Sequence, residues 1–239
     1  MNAMDSKTYA ELSEAWRTVR DDSEIWAAVI TGAGDRAFTA GADLREVGSG
    51  KIGLPSVWEF WQTQSGQLLN RGLEIWKPVV AAVNGYCLGG GMTLLLATDI
   101  RIASPNATFA LSEVKRGILP GNGGTQRTLR QLPYPLAMEL LLIGDPITAE
   151  RALELNLINS VVPQEELRKT AQQTAERLCE NGPLAVQAIK ELAIRSQYMN
   201  LDDGIRMEGA YARILMATED AKEGPKAFLE KRKANFKGV

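Results

Sequence analysis

The 239-residue sequence contains no histidine. That absence removes Ser-His-Asp and Cys-His nucleophilic machinery together with histidine-containing zinc sites. Cysteine is almost as scarce, with Cys87 and Cys179 alone, so neither a disulfide framework nor a structural zinc site is expected and the plain reading is a reducing, cytoplasmic setting. No charge sign dominates: 27 Lys and Arg face 29 Asp and Glu, for a formal net charge of −2, which argues against nonspecific nucleic-acid binding. No apolar run is long enough to span a bilayer and no secretory pattern opens the chain. Acid–base chemistry near neutral pH is left mainly to carboxylates, with lysine, tyrosine and cysteine as poorer choices. What is present is ordinary for a globular protein, 45% hydrophobic and 23% charged, with length for one α/β domain plus an appendage.

Strand and helix patterns alternate through the first two thirds of the chain. Tyr9, Leu12, Trp16 and Val19 repeat at helical spacing. Residues 26–30 read as a buried strand, and Trp58, Trp61, Leu68, Leu69, Leu73 and Trp76 suit a long amphipathic helix ending before Pro78. Strands are expected at 79–83, 100–103, 108–110 and 157–162, and helices at 125–132, 136–142 and 148–155. Beyond Pro163 only helical patterns remain, at 164–180, 184–197, 201–217 and 224–233. This order predicts an α/β core followed by a helical appendage, with the boundary placed at 1–182 and 183–239.

The most informative stretch is Asn84-Gly85-Tyr86-Cys87-Leu88-Gly89-Gly90-Gly91-Met92-Thr93. It follows the apolar run Val79-Val80-Ala81-Ala82-Val83 and reads as strand, glycine turn, helix start. Consecutive glycines cost backbone entropy, and they suit a place where main chain approaches a ligand and points N–H groups at it. Unpaired N–H groups at a helix start can stabilise a phosphate or a developing oxyanion. A second small-residue turn, Ala40-Gly41-Ala42-Asp43-Leu44, leaves room for a ligand and frees an N–H at Ala42; its bland alternative is a loop before a helix capped by Asp43. Gly32-Ala33-Gly34-Asp35-Arg36-Ala37 matches a dinucleotide-binding pattern, but a second glycine turn follows instead of an apolar helix, so a plain turn is the better reading. Glu113 stands between an apolar strand end and the glycine-rich loop 117–124. In a partly dry pocket its pKa would rise and suit it to proton transfer; an exposed loop glutamate is the equally weighted alternative.

Taken together, Phe38-Thr39-Ala40-Gly41-Ala42-Asp43-Leu44, the Asn84–Gly91 stretch, Asp99-Ile100-Arg101-Ile102-Ala103-Ser104 and the run from Gly117 through Pro120, Gly121 and Gly124 to Arg127 resemble the crotonase superfamily of enoyl-CoA hydratases and isomerases. The segment from Glu219 to Arg232 is similar to that family's C-terminal signature. The resemblance covers nearly the whole chain, in order. It implies an α/β fold, a crotonase-like spiral of ββα units with a C-terminal helical trimerisation region, in a homotrimer or a dimer of trimers. It implies an acyl-CoA thioester substrate, with coenzyme A entering as part of that substrate and no permanently bound cofactor, metal, nucleic-acid or membrane partner. The thioester oxygen would sit between the N–H groups of Ala42 and Gly90, and Glu113 would be the acid–base residue. Ala40, Asp43, Leu44, Gly89, Pro120 and Gly121 would line the substrate, while Lys226, Lys231, Arg232 and Lys233 would face CoA phosphates or, more simply, solvent.

Three departures qualify that picture. Typical hydratases carry a second catalytic glutamate at the position of Thr93; the threonine would hold a water or merely pack in its helix. A single glutamate is similar to the arrangement in double-bond isomerases and in family members that hydrate aromatic acyl-CoAs. Family members usually carry strands ahead of the segment corresponding to Asn2-Ala3-Met4; either this sequence starts late, or those strands are absent and one wall of the CoA site with them. Hydratase or isomerase is therefore the expected activity, with a non-catalytic acyl-CoA-binding homologue, a thioester hydrolase or a C–C lyase on the same fold as alternatives.

Overall fold

A computed structural model describes residues 1–45 and 68–239. After helix α1 (Ser6–Asp21), the chain lays down β1 (Ala28–Thr31), β2 (Ala37–Thr39), β3 (Val79–Val83), β4 (Tyr86–Leu88), helix α2 (Gly90–Leu95), β5 (Ile100–Ala103) and β6 (Thr108–Ala110). Odd and even strands separate into two sheets. The first runs β1-β3-β5 with all neighbours parallel; the second runs β2-β4-β6, also parallel. Each repeat thus sends one strand to each sheet before moving on, the spiral that the sequence resemblance implies. Helices α3 (Gly124–Gln131) and α4 (Tyr134–Leu142) follow. Then β7 (Ile147–Thr148) closes the second sheet antiparallel to β6, and after α5 (Ala149–Glu154), β8 (Ser160–Val161) extends the first beside β5.

Strand β3 shows why this sequence makes these layers. Val79 to Val83 are all fully buried, as a parallel strand covered on both faces requires. Val79, Ala81 and Val83 face the core between the sheets, with Phe38, Cys87, Leu95 and Phe109. Val80 and Ala82 face the other way, onto Leu167, Ala171 and Ala175 of α6 (Leu167–Cys179). Burying each valine is worth roughly 1.5–3 kcal/mol. The turns that join the paired strands stack on each other. Asn84 Nδ2 donates to Gly32 O (3.1 Å) and Gly34 O (2.7 Å), and its Oδ1 accepts from Gly32 N (3.1 Å). A Cβ on Gly32 would fall 2.0 Å from Ala37 O. The glycines of the apparent dinucleotide pattern therefore serve turn stacking.

Three further helices follow, α7 (Pro183–Arg195), α8 (Leu201–Met216) and α9 (Glu219–Leu229). The first is tied to the strand layers by Lys190, whose Nζ donates to Asp99 Oδ2 (2.7 Å) and Lys77 O (2.9 Å). The following segment folds back, with the Lys237 and Gly238 N–H groups donating to the Asp220 carboxylate at 2.7 and 2.8 Å.

Three expectations need correction. Of the helix expected before Pro78, residues 46–67, with Trp58 and Trp61, lie outside the described residues; over the described part a single 3-10 turn, Leu69–Arg71, forms in place of a continuing helix, and Gly72 leaves it in the left-handed region at φ +90. The turn after β3 is not a direct strand-to-helix link, because Tyr86–Leu88 forms a strand of its own, as does Ala37–Thr39. The expected strand at 157–162 shrinks to Ser160–Val161, because Leu157 and Ile158 join the core ahead of the pairing with β5.

Candidate active site

Two backbone turns meet beside one carboxylate. The Ala40–Asp43 segment leaves β2 through Gly41, at φ +88, and packs on the Gly89–Gly91 turn that leaves β4. The approach is close enough to demand glycine. A Cβ on Gly41 would lie 2.8 Å from Gly90 N, and one on Gly91 would lie 2.6 Å from Thr39 O. A Cβ on Gly90 would be 3.4 Å from Ala42 N. Ala42 and Gly90 are thus side by side, and neither N–H has a hydrogen-bond acceptor among the described residues.

The orientation of both N–H groups follows from peptide planarity. In a trans peptide the carbonyl of one residue and the N–H of the next point in opposite directions. The Gly41 carbonyl accepts from Met4 N (2.8 Å), which turns the Ala42 N–H away from the Met4 segment. The Gly89 carbonyl accepts from Thr93 N (3.1 Å), the first bond of α2, which turns the Gly90 N–H out of the helix. Each free donor is therefore the far end of a peptide whose carbonyl is tied down.

Glu113 lies on the 3-10 turn Ser112–Arg116 that follows β6. Its carboxylate is the neighbour of Gly89: a Cβ there would be 3.3 Å from Oε1. Oε2 is buried with no hydrogen-bond partner. Burial pushes the pKa of this carboxyl above the ordinary glutamate value, because desolvation disfavours the charged form. A buried, unpaired carboxylate oxygen is costly in a resting fold and is what proton transfer to or from a bound ligand requires.

Thr93 sits behind this arrangement. Its hydroxyl donates to Gly90 O (3.0 Å) and accepts from Asn70 Nδ2 (3.1 Å), while its methyl points at Gly124, where a Cβ would meet it at 2.8 Å. Pro120 packs on the same glycine, at 2.9 Å from that position. Ala40 and the exposed Leu44 flank Ala42, and Ala40 N donates to Met1 O. Two residues stand apart. The Asp43 carboxylate is engaged by Arg45 through its guanidinium and N–H, which holds its pKa down at about 2; Gly121 is exposed, with open space where a side chain would be. In the C-terminal region Arg232 is paired with Glu223 and Glu230, and Lys233 with Glu180.

With the small-residue turn, the glycine turn and Glu113 placed together, comparison with known proteins gives the family. The family model for enoyl-CoA hydratase/isomerase matches residues 1–239. The chain belongs to the enoyl-CoA hydratase/isomerase family. Among similar proteins is the (E)-benzylidenesuccinyl-CoA hydratase of Thauera aromatica, 40% identical over 239 residues, covering all of this chain and 92% of that one. The crotonyl-CoA hydratase of Syntrophomonas wolfei is 41% identical over 99% of this chain and 90% of its own. The solved enoyl-CoA hydratase from Mycobacterium tuberculosis superposes with a TM-score of 0.90 at 34% identity, covering 99% of this chain and 90% of that one. As a member of this family the chain is an enzyme with the crotonase fold. No helix among its described residues is long and apolar enough to cross a membrane.

Two residues that build this family member's site were not singled out from sequence. Met4 holds the Gly41 carbonyl across a sequence distance that no local pattern spans. Asn70 lies in the run expected as a long helix, whose apolar spacing assigns its polar side chain no role.

Proposed function

We propose that this enzyme adds water to the double bond of a 2-enoyl-CoA thioester, and runs the reverse dehydration. The observation that carries the reading is the convergence of the Ala42 and Gly90 N–H groups, both unpaired, beside a buried Glu113 oxygen without a partner. Two fixed donors on the thioester oxygen would stabilise the enolate that forms as charge leaves the double bond. Removing one such donor typically costs roughly 2.7–4 kcal/mol of transition-state stabilisation. Glu113 takes a proton from the incoming water as the oxygen bonds to the β-carbon. The π electrons move to the enolate, and the same carboxyl returns the proton to the α-carbon. The protein's part is to orient, to hold the oxyanion and to move one proton.

The named hydratases among the relatives support water addition. Thr93 supports a second reading, double-bond isomerisation, because its hydroxyl is spent on Gly90 O and Asn70 and one carboxylate suffices to shuttle a proton between carbons. A panel of aliphatic and aryl-substituted 2-enoyl- and 3-enoyl-CoA thioesters in oxygen-labelled water, with products read by mass spectrometry and NMR, separates the two. Label in a 3-hydroxyacyl product supports hydration. A shifted double bond without label supports isomerisation, release of free CoA indicates hydrolysis, and binding without any product leaves a carrier role. Leu44, Ala40 and Pro120 line the acyl-CoA in this reading, and 183–239 is the region through which copies of the chain assemble, as a trimer or a pair of trimers.

A further inference from the structure

Met4 touches both halves of the proposed oxyanion site. Its N–H donates to Gly41 O at 2.8 Å and its carbonyl accepts from Asp43 N at 3.0 Å, so its backbone brackets Ala42 on both sides. It forms an isolated parallel bridge with Ala42. Its side chain is buried, 4% exposed, and its tip reaches the other turn: Cε is 3.2 Å from the Cβ position of Gly90. The rest of the segment is anchored independently. Asn2 Nδ2 donates to Ala37 O (2.8 Å) and Ala33 O (3.0 Å), and Thr39 Oγ1 donates to Asn2 O (2.6 Å).

We propose that Met4 is a positioning residue that sets the separation of the Ala42 and Gly90 N–H groups, its backbone fixing the first and its thioether end supporting the second. The inference rests on the oxyanion reading above. The Ala42 peptide is held from behind by the Met4 N–H, so its direction follows Met4. The Gly90 turn has no side chain of its own to brace it, and the Met4 methyl lies 3.2 Å from where a Cβ on Gly90 would be, so it abuts the turn there. An unbranched thioether fills such a gap without demanding one rotamer. Shortening it leaves the backbone bonds intact and removes the spacer.

The test uses Met4→Ala and Met4→Leu in the full chain. Misplacement of a donor by about an ångström is expected to lower kcat of Met4→Ala by roughly 10- to 100-fold while KM moves less than about threefold. Met4→Leu, close in volume, returns to within about threefold of wild type. The direct readout is the infrared stretch of an isotope-labelled thioester carbonyl in a bound saturated acyl-CoA. It shifts to lower frequency in wild type and in Met4→Leu, and less in Met4→Ala. If Met4→Ala does not fold, Met4→Val carries the same comparison, since its branched stem ends short of Gly90. An unchanged carbonyl shift in the shortened variant overturns the spacer role, whether kcat is retained or falls together with binding. Absence of any shift in wild type overturns the oxyanion reading itself, a result distinct from the first.

Discussion

Asn70 Nδ2 donates to the Thr93 hydroxyl across 3.1 Å, and that hydroxyl gives its own proton to the Gly90 carbonyl. Both side chains are buried, at 5% and 1% exposure. Thr93 is thus a tie between the Leu69–Arg71 turn and α2, with its methyl toward Gly124. Thr93→Val keeps that shape and strands the Asn70 donor. An unsatisfied buried partner costs about 1–3 kcal/mol, so the variant is expected to lose stability of that order in urea or thermal unfolding. Its kcat falls far less than that of a Glu113 variant, because the hydroxyl is spent on protein groups. A stable Thr93→Val with turnover as low as Glu113→Gln would give the hydroxyl a direct part in the chemistry.

Glu113→Gln is expected to abolish turnover while leaving CoA affinity within about threefold, since the amide keeps the shape and loses the titratable oxygen. Stopped-flow turnover beside calorimetric CoA binding checks both halves.

The pH dependence follows from the sign of the Glu113 shift. Burial raises its pKa in the fold, and the ionised form must take the proton from water, so the acid limb of kcat rises above the ordinary glutamate range. For stability the linkage runs the other way. The glutamate destabilises nothing below its unfolded pKa, where it is protonated in both states, and wild type loses stability as pH rises through the raised folded value. Glu113→Gln removes that loss. Its melting temperature relative to wild type should therefore climb with pH across this window and level off above it; a difference independent of pH would mean that the carboxyl is not desolvated.

Much of this was readable in the chain, for identifiable reasons. Val79–Val83 could be read because a strand buried on both faces is apolar throughout. The ββα spiral was blurred because paired strands start nine, seven and eight residues apart, while successive repeats start 51 and 21 residues apart; a period scan sees the irregular interval. Tyr86–Leu88 escaped because three residues bounded by glycines carry no periodicity, and their strand conformation comes from pairing with Ala37–Thr39 and Thr108–Ala110. Ala42, Gly90 and Glu113 could be named through motif order. Met4 and Asn70 could not, since each acts through a contact fixed only by the assembled fold.

Gly41→Ala tests the close approach of the two turns. The residue sits at φ +88, and a methyl there would lie 2.8 Å from both Gly90 N and Leu88 O. The left-handed conformation costs an alanine roughly 1–2 kcal/mol, and the methyl would push the two donors apart. A fall in kcat of about a hundredfold or more is expected, out of proportion to the stability change. Near-normal kcat would show that the two N–H groups do not share one oxygen.

The last prediction concerns assembly. Helix α8 runs for 16 residues without a single buried one. Leu201, Ile205 and Met216 are 78%, 56% and 74% exposed, and their spacing places them on one stripe. A neighbouring stripe, with Met207, Tyr211 and Leu215, is half-buried. Helices in proteins draw most of their stability from packing an apolar face, so this stripe calls for a surface outside the single chain, and the proposal is another copy of it. Ile205→Asp with Met216→Asp should convert the assembly to monomers in size-exclusion chromatography with light scattering, and lower the melting temperature. Because α7 is tied to the core through Lys190 and Asp99, whereas Glu113 is held on the Ser112–Arg116 turn beside Gly89, the monomeric variant should keep the lowered-frequency carbonyl band of a bound acyl-CoA. A wild-type chain that is monomeric at tens of micromolar would rule out this use of α8.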